Sequence, residues 1–265
     1  MLVGHPVRHS VSPAFQNEAL RAMGIPVAYE ALDVPPSELE PRLAALVAEG
    51  AAGNVTVPYK MTVAARCDRR TALAERVGAV NTFWVEEDGA LVGDNTDVDG
   101  FASLAAALLG APSPGARVAV LGAGGAAAAV LAAVERWPRS AVTLWNRTRE
   151  RAERLAARFP VVRSVAASPE ECVRGCTLVV NATTVGLTGD DTPVSPGALE
   201  PGCAVADLVY RSGGGTPWVH AVQASGRRAA DGLVMLVEQG ALAFERWFGV
   251  PAPRDVMRHA ACSAR

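Results

Sequence analysis

Between Arg117 and Arg136 the chain passes from strand formers through glycine into alanine. Arg117-Val-Ala-Val-Leu121 reads as a buried strand, and Gly122-Ala123-Gly124-Gly125-Ala126-Ala127 as a turn. An alanine-rich helix then runs to about Arg136. A strand that turns on Gly-x-Gly-x-x-Ala directly into a helix admits few folds. Glycine lets backbone or ligand approach with no Cβ in the way, and the helix starts with unpaired amides aimed beyond the turn. A pyrophosphate satisfies those amides, so the unit reads as the dinucleotide-binding start of a parallel α/β sheet. The alternative is a tight strand–helix turn with no ligand.

The next strand, Ala141 to Trp145, ends in Asn146-Arg147-Thr148, with Arg149 and Arg151 behind it and no Asp or Glu at the strand end. A free ribose 2′-hydroxyl calls for an acid there. A 2′-phosphate calls for Arg, which makes a charge-assisted bidentate pair with it. NADP(H) is therefore the expected cofactor; the plain alternative is an exposed Arg-rich helix.

Strands and helices alternate on both sides of this unit. Upstream, Leu2-Val3 reads as the end of a strand, Pro13 to Met23 as an amphipathic helix, Val27 to Leu32 as a strand and Leu39 to Ala48 as a helix. Gly53 to Val57 is a strand stopped by Pro58, which has no N–H for a ladder. A helix bearing Lys60 runs to about Cys67, and another covers Ala72 to Val77. Strands through Val85 and at Leu91-Val92 flank the Asp88-Gly89 turn, and a helix covers Gly100 to Leu109. The break Ala111-Pro-Ser-Pro-Gly115 follows. Beyond the dinucleotide unit come a helix to Phe159, strands at Leu178 to Asn181 and Val205 to Leu208, loops at Gly189 to Gly202 and Arg211 to Pro217, a helix over Leu233 to Phe248 and a shorter closing helix. The fold class is α/β.

The 265 residues allow one large domain or two ordinary ones. A net charge of -2 offers no field for nucleic acid or an acidic membrane. No apolar run reaches the roughly 18 residues of a membrane span, and Met-Leu-Val-Gly at the start has no leader-like basic and apolar regions. The five cysteines are odd in number and scattered, and Cys172 and Cys176 lack a second pair, so reduced cytosolic thiols and no metal site are expected.

The residues suited to chemistry lie mostly before the dinucleotide unit. Lys60 is the only lysine in a chain that otherwise uses Arg for every cation of this kind. Arg cannot release its proton in a protein and Lys can, so a site that must pass a proton excludes Arg. Thr56, Asn81, Asp97, Ser10 and Ser12 fall at strand ends or strand–helix turns, where α/β folds hold ligands. Each also has a plain reading: Ser12 before Pro13 as a helix N-cap, Asn81 as a turn residue, Asp97 as an N-cap, and the distant Gln239 as a polar spot on a packed helix.

Taken together, the motifs resemble the shikimate dehydrogenase family. They are Gly4-x-Pro6-x-x-His9-Ser10-x-Ser12-Pro13, Asn54-Val-Thr56-x-Pro58-x-Lys60, Gly78-Ala-Val-Asn81-Thr82, Asn95-Thr96-Asp97, Gly122-Ala-Gly-Gly-Ala126, Asn146-Arg147-Thr148, Asn181-Ala-Thr183 and Asp231-Gly-x-x-Met235-Leu236-Val-x-Gln239. The resemblance implies reduction of 3-dehydroshikimate to shikimate with NADPH, on the route to aromatic amino acids. It implies a substrate carboxylate on Ser10 and Ser12 with Tyr210 nearby, and ring hydroxyls among Thr56, Asn81, Asp97, Gln239 and Lys60. It adds Thr183 and Gly232 to the cofactor set of Gly122, Ala123, Gly124, Gly125, Ala126, Asn146, Arg147, Thr148 and Arg151. It also implies two domains, with the last helices folding back so that Gln239 closes the site across a cleft. Residues 1–99 and 233–265 would bind substrate, and 100–232 would form a Rossmann-like NADP domain.

Hydride addition to a ketone leaves an alkoxide that needs a proton, with Lys60 as donor and Asp97 to orient and tune it. The alternatives are a quinate/shikimate dehydrogenase using NAD or NADP, and a non-catalytic NADP-binding protein, which would have no need of a proton donor. The expected partners are small molecules, in a cytoplasmic monomer or homodimer. The chain departs from the family pattern at Val98, where many relatives have Gly, and in the loop Arg-Ser-Gly-Gly-Gly-Thr216 after Tyr210, one residue longer than usual. Only Met1 to Val3 precede Gly4, so the first strand is thin or the true start lies upstream.

Overall fold

The computed structural model describes residues 1–8, 10–111, 114–211 and 214–264. His9 of the first motif, Pro112 and Ser113 of the break, and Ser212 and Gly213 of the loop after Tyr210 lie outside the described residues. The chain divides into two units, Met1–Asp97 with Leu236–Arg265, and Val98–Met235.

The first unit begins with β1 (Leu2–Gly4), α1 (Ser12–Ala22), β2 (Ala31–Asp33), α2 (Leu39–Ala48), β3 (Gly53–Val55), α3 (Lys60–Ala64), β4 (Arg69–Arg70), α4 (Ala72–Val77), β5 (Thr82–Val85) and β6 (Leu91–Asp94). The strands form one sheet in the order β2-β1-β3-β5-β6-β4. All run parallel except β5, which is antiparallel to both β3 and β6. Leu39, Leu43 and Leu46 recur on one face of α2 and pack on Val3, Val55 and Phe83 of the sheet.

β2 starts at Ala31 and not at Val27. The Asn17 amide of α1 takes both main-chain groups of Tyr29: its Oδ1 accepts the Tyr29 N–H at 2.8 Å and its Nδ2 donates to the Tyr29 carbonyl at 2.9 Å. Main chain already paired with a side chain cannot also enter the ladder. β3 stops at Val55, two residues before the expected end, and α3 stops at Ala64, where the Arg70 guanidinium donates to the Ala64 carbonyl at 2.7 Å; Arg69 and Arg70 then pair in parallel with β6.

α5 (Asp97–Leu109) leads into the second unit, with Val98 fully buried in its first turn. There follow β7 (Arg117–Leu121), α6 (Gly125–Val134), β8 (Ala141–Trp145), α7 (Arg149–Ala156), β9 (Val162–Val165), α8 (Pro169–Val173), β10 (Leu178–Asn181), β11 (Ala204–Asp207), α9 (Pro217–Ala224) and β12 (Ala229–Ala230). The sheet is parallel throughout in the order β12-β11-β10-β7-β8-β9. This is the doubly wound Rossmann arrangement, whose order reverses between β7 and β10. β10 and β11 are buried at every residue, as strands covered on both faces are. α6 is buried at every residue from Ala127 to Val134; a helix apolar on all sides belongs in a core.

β9, α8, α9 and β12 were not anticipated from the sequence. β9 exposes Arg163 and Ser164 and carries no apolar run. α8 and α9 are short, yet each opens on a readable Ser/Thr-Pro start. Ser168 accepts from the Glu171 N–H at 3.1 Å, and Thr216 from the Val219 N–H at 3.2 Å. The chain ends with α10 (Leu233–Phe248) and α11 (Arg254–Ser263). α11 packs along α1, and Arg254 at its start pairs with Glu238 and Glu245 of α10.

Candidate functional site

The strand directions of the first sheet bring the candidate residues to one edge. β1, β3 and β6 run parallel, so their carboxyl ends share that edge. They lead into Ser10 and Ser12, into Thr56 and Lys60, and into Asp97. β5 runs the other way between β3 and β6, so Asn81, just before it, arrives at the same edge between Lys60 and Asp97.

Lys60 and Asp97 each open a helix. The Lys60 Nζ donates to the Asp97 Oδ2 at 2.6 Å, and the two side chains are 16% and 4% exposed. The other Asp97 oxygen accepts from the Asn81 Nδ2 at 2.9 Å. Both carboxylate oxygens thus engage side chains, a larger role than that of a cap. The buried Asn81 is a hub and not a turn residue. Its Nδ2 also lies 2.9 Å from the Thr96 Oγ1 and 3.1 Å from the Gln239 Oε1, and its Oδ1 accepts the Thr96 N–H at 2.7 Å. Lys60 and this segment are joined through the main chain as well, the Val80 N–H donating to the Lys60 carbonyl at 2.8 Å. Gln239 reaches the cluster from α10, where its Nε2 is held by the Leu236 carbonyl at 2.8 Å.

Ser12 is a correction. It is the first residue of α1 and not its cap: Val11 stands at the cap position, and no side chain caps the helix. The Ser10 Oγ instead accepts the Ser12 N–H at 3.2 Å. The two hydroxyls therefore flank a helix start, where an anion is favoured. Thr56 is half-buried, its methyl so close to Gly4 that a Cβ on Gly4 would collide with the Thr56 Cγ2. Among the described residues, no hydrogen bond joins the Ser10, Ser12 or Thr56 side chains to the Lys60–Asp97–Asn81–Gln239 cluster.

Two supporting residues were passed over. The buried Asn54 donates to the Asn81 carbonyl at 3.1 Å and accepts from the Tyr29 hydroxyl at 2.7 Å, and Thr96 brackets the Asn81 amide. Both lie inside recognised motifs, but neighbours in sequence do not reveal that they face Asn81.

In the second unit, the turn after β7 sits at the sheet's reversal point. Gly122 has φ +117°, and a Cβ there would lie 2.6 Å from the Ala182 carbonyl oxygen, so only glycine fits. A Cβ on Gly124 would meet only open space, and no side chain caps the start of α6. Ala123, Gly125 and Ala126 complete this turn. Thr183 is held by the Asn181 Oδ1 at 2.7 Å. Asn146 donates to the Thr148 carbonyl at 2.8 Å, and Arg149 pairs with Glu153 at 2.8 Å. Arg147 and Arg151 are exposed and bind no carboxylate among the described residues. A glycine turn open to a ligand, an uncapped helix start and guanidinium groups without a neighbouring strand-end acid fit a 2′-phosphorylated dinucleotide.

Gly232 lies against the exit of β11, where a Cβ would collide with the Leu208 carbonyl oxygen. Tyr210 is half-buried in the loop beyond that strand and belongs to the second unit, whereas Ser10 and Ser12 belong to the first. Between Thr183 and this loop stands Asp207. Burial pushes its carboxyl up to about 6, opposed by hydrogen bonds from Thr216, the Val209 N–H and Asn181.

Comparison with known proteins gives consistent matches. Residues 2–83 match the model of the shikimate dehydrogenase substrate binding domain, and residues 232–262 that of the shikimate 5′-dehydrogenase C-terminal domain. A shikimate dehydrogenase (NADP(+)) of Rubrobacter xylanophilus is 44% identical over 269 residues, covering 98% of this chain and 93% of the relative. The crystal structure of shikimate 5-dehydrogenase from Thermus thermophilus in complex with NADP(H) and shikimate aligns with a TM-score of 0.88 at 38% identity, over 100% of this chain and 98% of that one. Quinate dehydrogenase from Corynebacterium glutamicum in complex with NAD aligns with a TM-score of 0.87 at 28% identity, over 99% and 97%.

Proposed function

The chain belongs to the shikimate dehydrogenase family; it is an NADP-dependent oxidoreductase interconverting 3-dehydroshikimate and shikimate, and we propose that Lys60 and Asp97 carry the proton of that reaction. The observation that carries this reading is the 2.6 Å Lys60–Asp97 pair, held by Asn81 and nearly closed to solvent. When bound, NADPH supplies the hydride that adds to the ketone carbon. The ketone oxygen then needs a proton, which the Lys60 ammonium delivers while the Asp97 carboxylate holds it in line and stabilises its charge. In the oxidative direction the pair takes the proton back.

Ser10 and Ser12 bind the substrate carboxylate together with Tyr210. Thr56, Asn81 and Gln239 read the ring hydroxyls. The turn from Gly122 to Ala126 receives the pyrophosphate, Asn146, Arg147, Thr148 and Arg151 surround the 2′-phosphate, and Thr183 and Gly232 complete the cofactor set. In this reading residues 1–99 and 233–265 bind substrate and 100–232 bind NADP. The enzyme works in the cytoplasm on small molecules, as a monomer or homodimer; its net charge of -2 offers nucleic acid no attraction.

A steady-state assay of shikimate and quinate against NADP and NAD tests the reading. Shikimate with NADP should give the highest kcat/KM. Preference for quinate with NAD would move the chain to the sister activity, and no turnover in any arm would overturn the enzymatic reading.

A further inference from the structure

Arg246 lies outside every motif that marks the family, two turns of α10 beyond Gln239. Seven residues return a helix to within about 20° of the same face. Both residues therefore meet the same corner of the first unit. The Arg246 Nε donates to the Asp94 Oδ2 at 2.9 Å, between a side chain 54% exposed and one 3% exposed. The other Asp94 oxygen accepts the Thr71 hydroxyl and the Asn95 N–H. The Asp94 carbonyl accepts the Asn81 N–H at 3.1 Å. Asp94 thus holds the main chain of Asn81 with one group and helix α10 with another, while Gln239 on that helix meets the Asn81 side chain at 3.1 Å. Between the two contacts lies Gly240, where a Cβ would stand 2.6 Å from the Phe15 ring. Gln16 of α1 donates to the Gly240 carbonyl at 2.9 Å. α10 rests on α1 at this glycine, buries Val237, Ala241 and Phe244, and is tied to α11 through Glu238 and Glu245. Arg246–Asp94 is the ion pair on the face that carries Gln239.

We propose that Arg246 is a positioning residue for substrate recognition: through Asp94 it ties the Gln239-bearing face of α10 to the main chain of Asn81 and so holds the Gln239 amide against Asn81 and the substrate hydroxyls. This rests on the function proposed above. A carboxylate already bound by Thr71 and Asn95 does not need Arg246 to stay in place, so the tether's effect falls on the helix.

The test is a double-mutant cycle of Arg246→Leu and Gln239→Ala, read by shikimate KM and kcat, by calorimetric shikimate binding and by NADPH affinity. Arg246→Leu should raise KM and weaken shikimate binding about three- to tenfold, the scale of coupling between contacting residues, with kcat changed less and NADPH affinity unchanged. In the Gln239→Ala background it should have no further effect, because the group it positions is gone. Arg246→Lys should recover part of the loss. Additive losses in the two backgrounds, or native shikimate binding by Arg246→Leu with only a lowered Tm, would overturn the proposal and leave a plain strut. A wild type that binds shikimate without oxidising it would overturn the catalytic reading alone, since the binding cycle still decides the role of Arg246.

Discussion

Replacing Lys60 by Arg keeps a cation opposite Asp97 and removes only the transferable proton. The Nζ lies 2.6 Å from the Asp97 Oδ2 at 16% exposure, and the chain makes comparable Arg–carboxylate pairs at Arg246–Asp94 and Arg254–Glu238. A guanidinium can therefore keep the ion pair, and the variant should fold. NADPH affinity should be unchanged, because Lys60 belongs to the first unit and the glycine turn to the second. The guanidinium does not release a proton near neutral pH. Removing a positioned general acid–base group costs about 10²–10⁴-fold in rate. At about 1.4 kcal/mol per tenfold that is roughly 3–5 kcal/mol on the barrier. NADPH absorbance in steady state gives kcat and KM, and calorimetric NADPH binding and a thermal melt check the rest. Lys60→Ala controls for crowding by the larger side chain: it should lose kcat as well, and added methylamine should restore part of it. A Lys60→Arg enzyme with kcat within about threefold of wild type would refute the proton role.

Arg147→Ala should weaken NADPH about ten- to a hundredfold while leaving NADH nearly unchanged, since the lost contact is charge-assisted and specific to the 2′-phosphate; equal losses for both cofactors would remove Arg147 from that role. Ser12→Ala should raise the shikimate KM more than it lowers kcat, and it should leave Tm unchanged because Ser12 caps nothing. An unaltered KM would argue against carboxylate binding there. Asp207 links stability to pH: burial raises its folded pKa from 3.8 to about 6, so between those values the native state holds a proton that the unfolded chain has released. Stability from this group should then fall as pH rises from about 4 to 6 and be flat above, by up to about 3 kcal/mol. Urea midpoints of wild type and Asp207→Asn across that range should show a slope in their difference; a constant difference would mean that the carboxyl titrates normally.

Much of the local architecture follows from the order of residues alone. The run from Arg117 to Ala127 dictates a strand, a turn and a helix, because Gly122 alone can hold its positive φ beside the Ala182 carbonyl and alanines can bury a helix on every side. The Arg-for-acid choice after β8 and the single lysine are chemical choices that need no coordinates to read. The Ser/Thr-Pro starts at Ser168 and Thr216, where a hydroxyl reaches an amide three residues on, are local signals too, but they went unread. The same signal misleads at Ser12, because the helix starts one residue earlier and the Val11 carbonyl takes the Ala14 and Phe15 N–H groups. The β-rich run from Val27 was halted by an asparagine on the preceding helix. Propensity acts over a few residues, whereas that outcome turns on which partner arrives from elsewhere. Only the tertiary structure decides that β5 enters antiparallel between β3 and β6 and so sets Asn81 between Lys60 and Asp97. Only the return of α10 gives Gln239 its partner in Asn81 and Arg246 its partner in Asp94, more than 150 residues away in the chain. A buried polar group must be paired, but its sequence neighbours do not say with whom; sheet order and helix packing supply the partner.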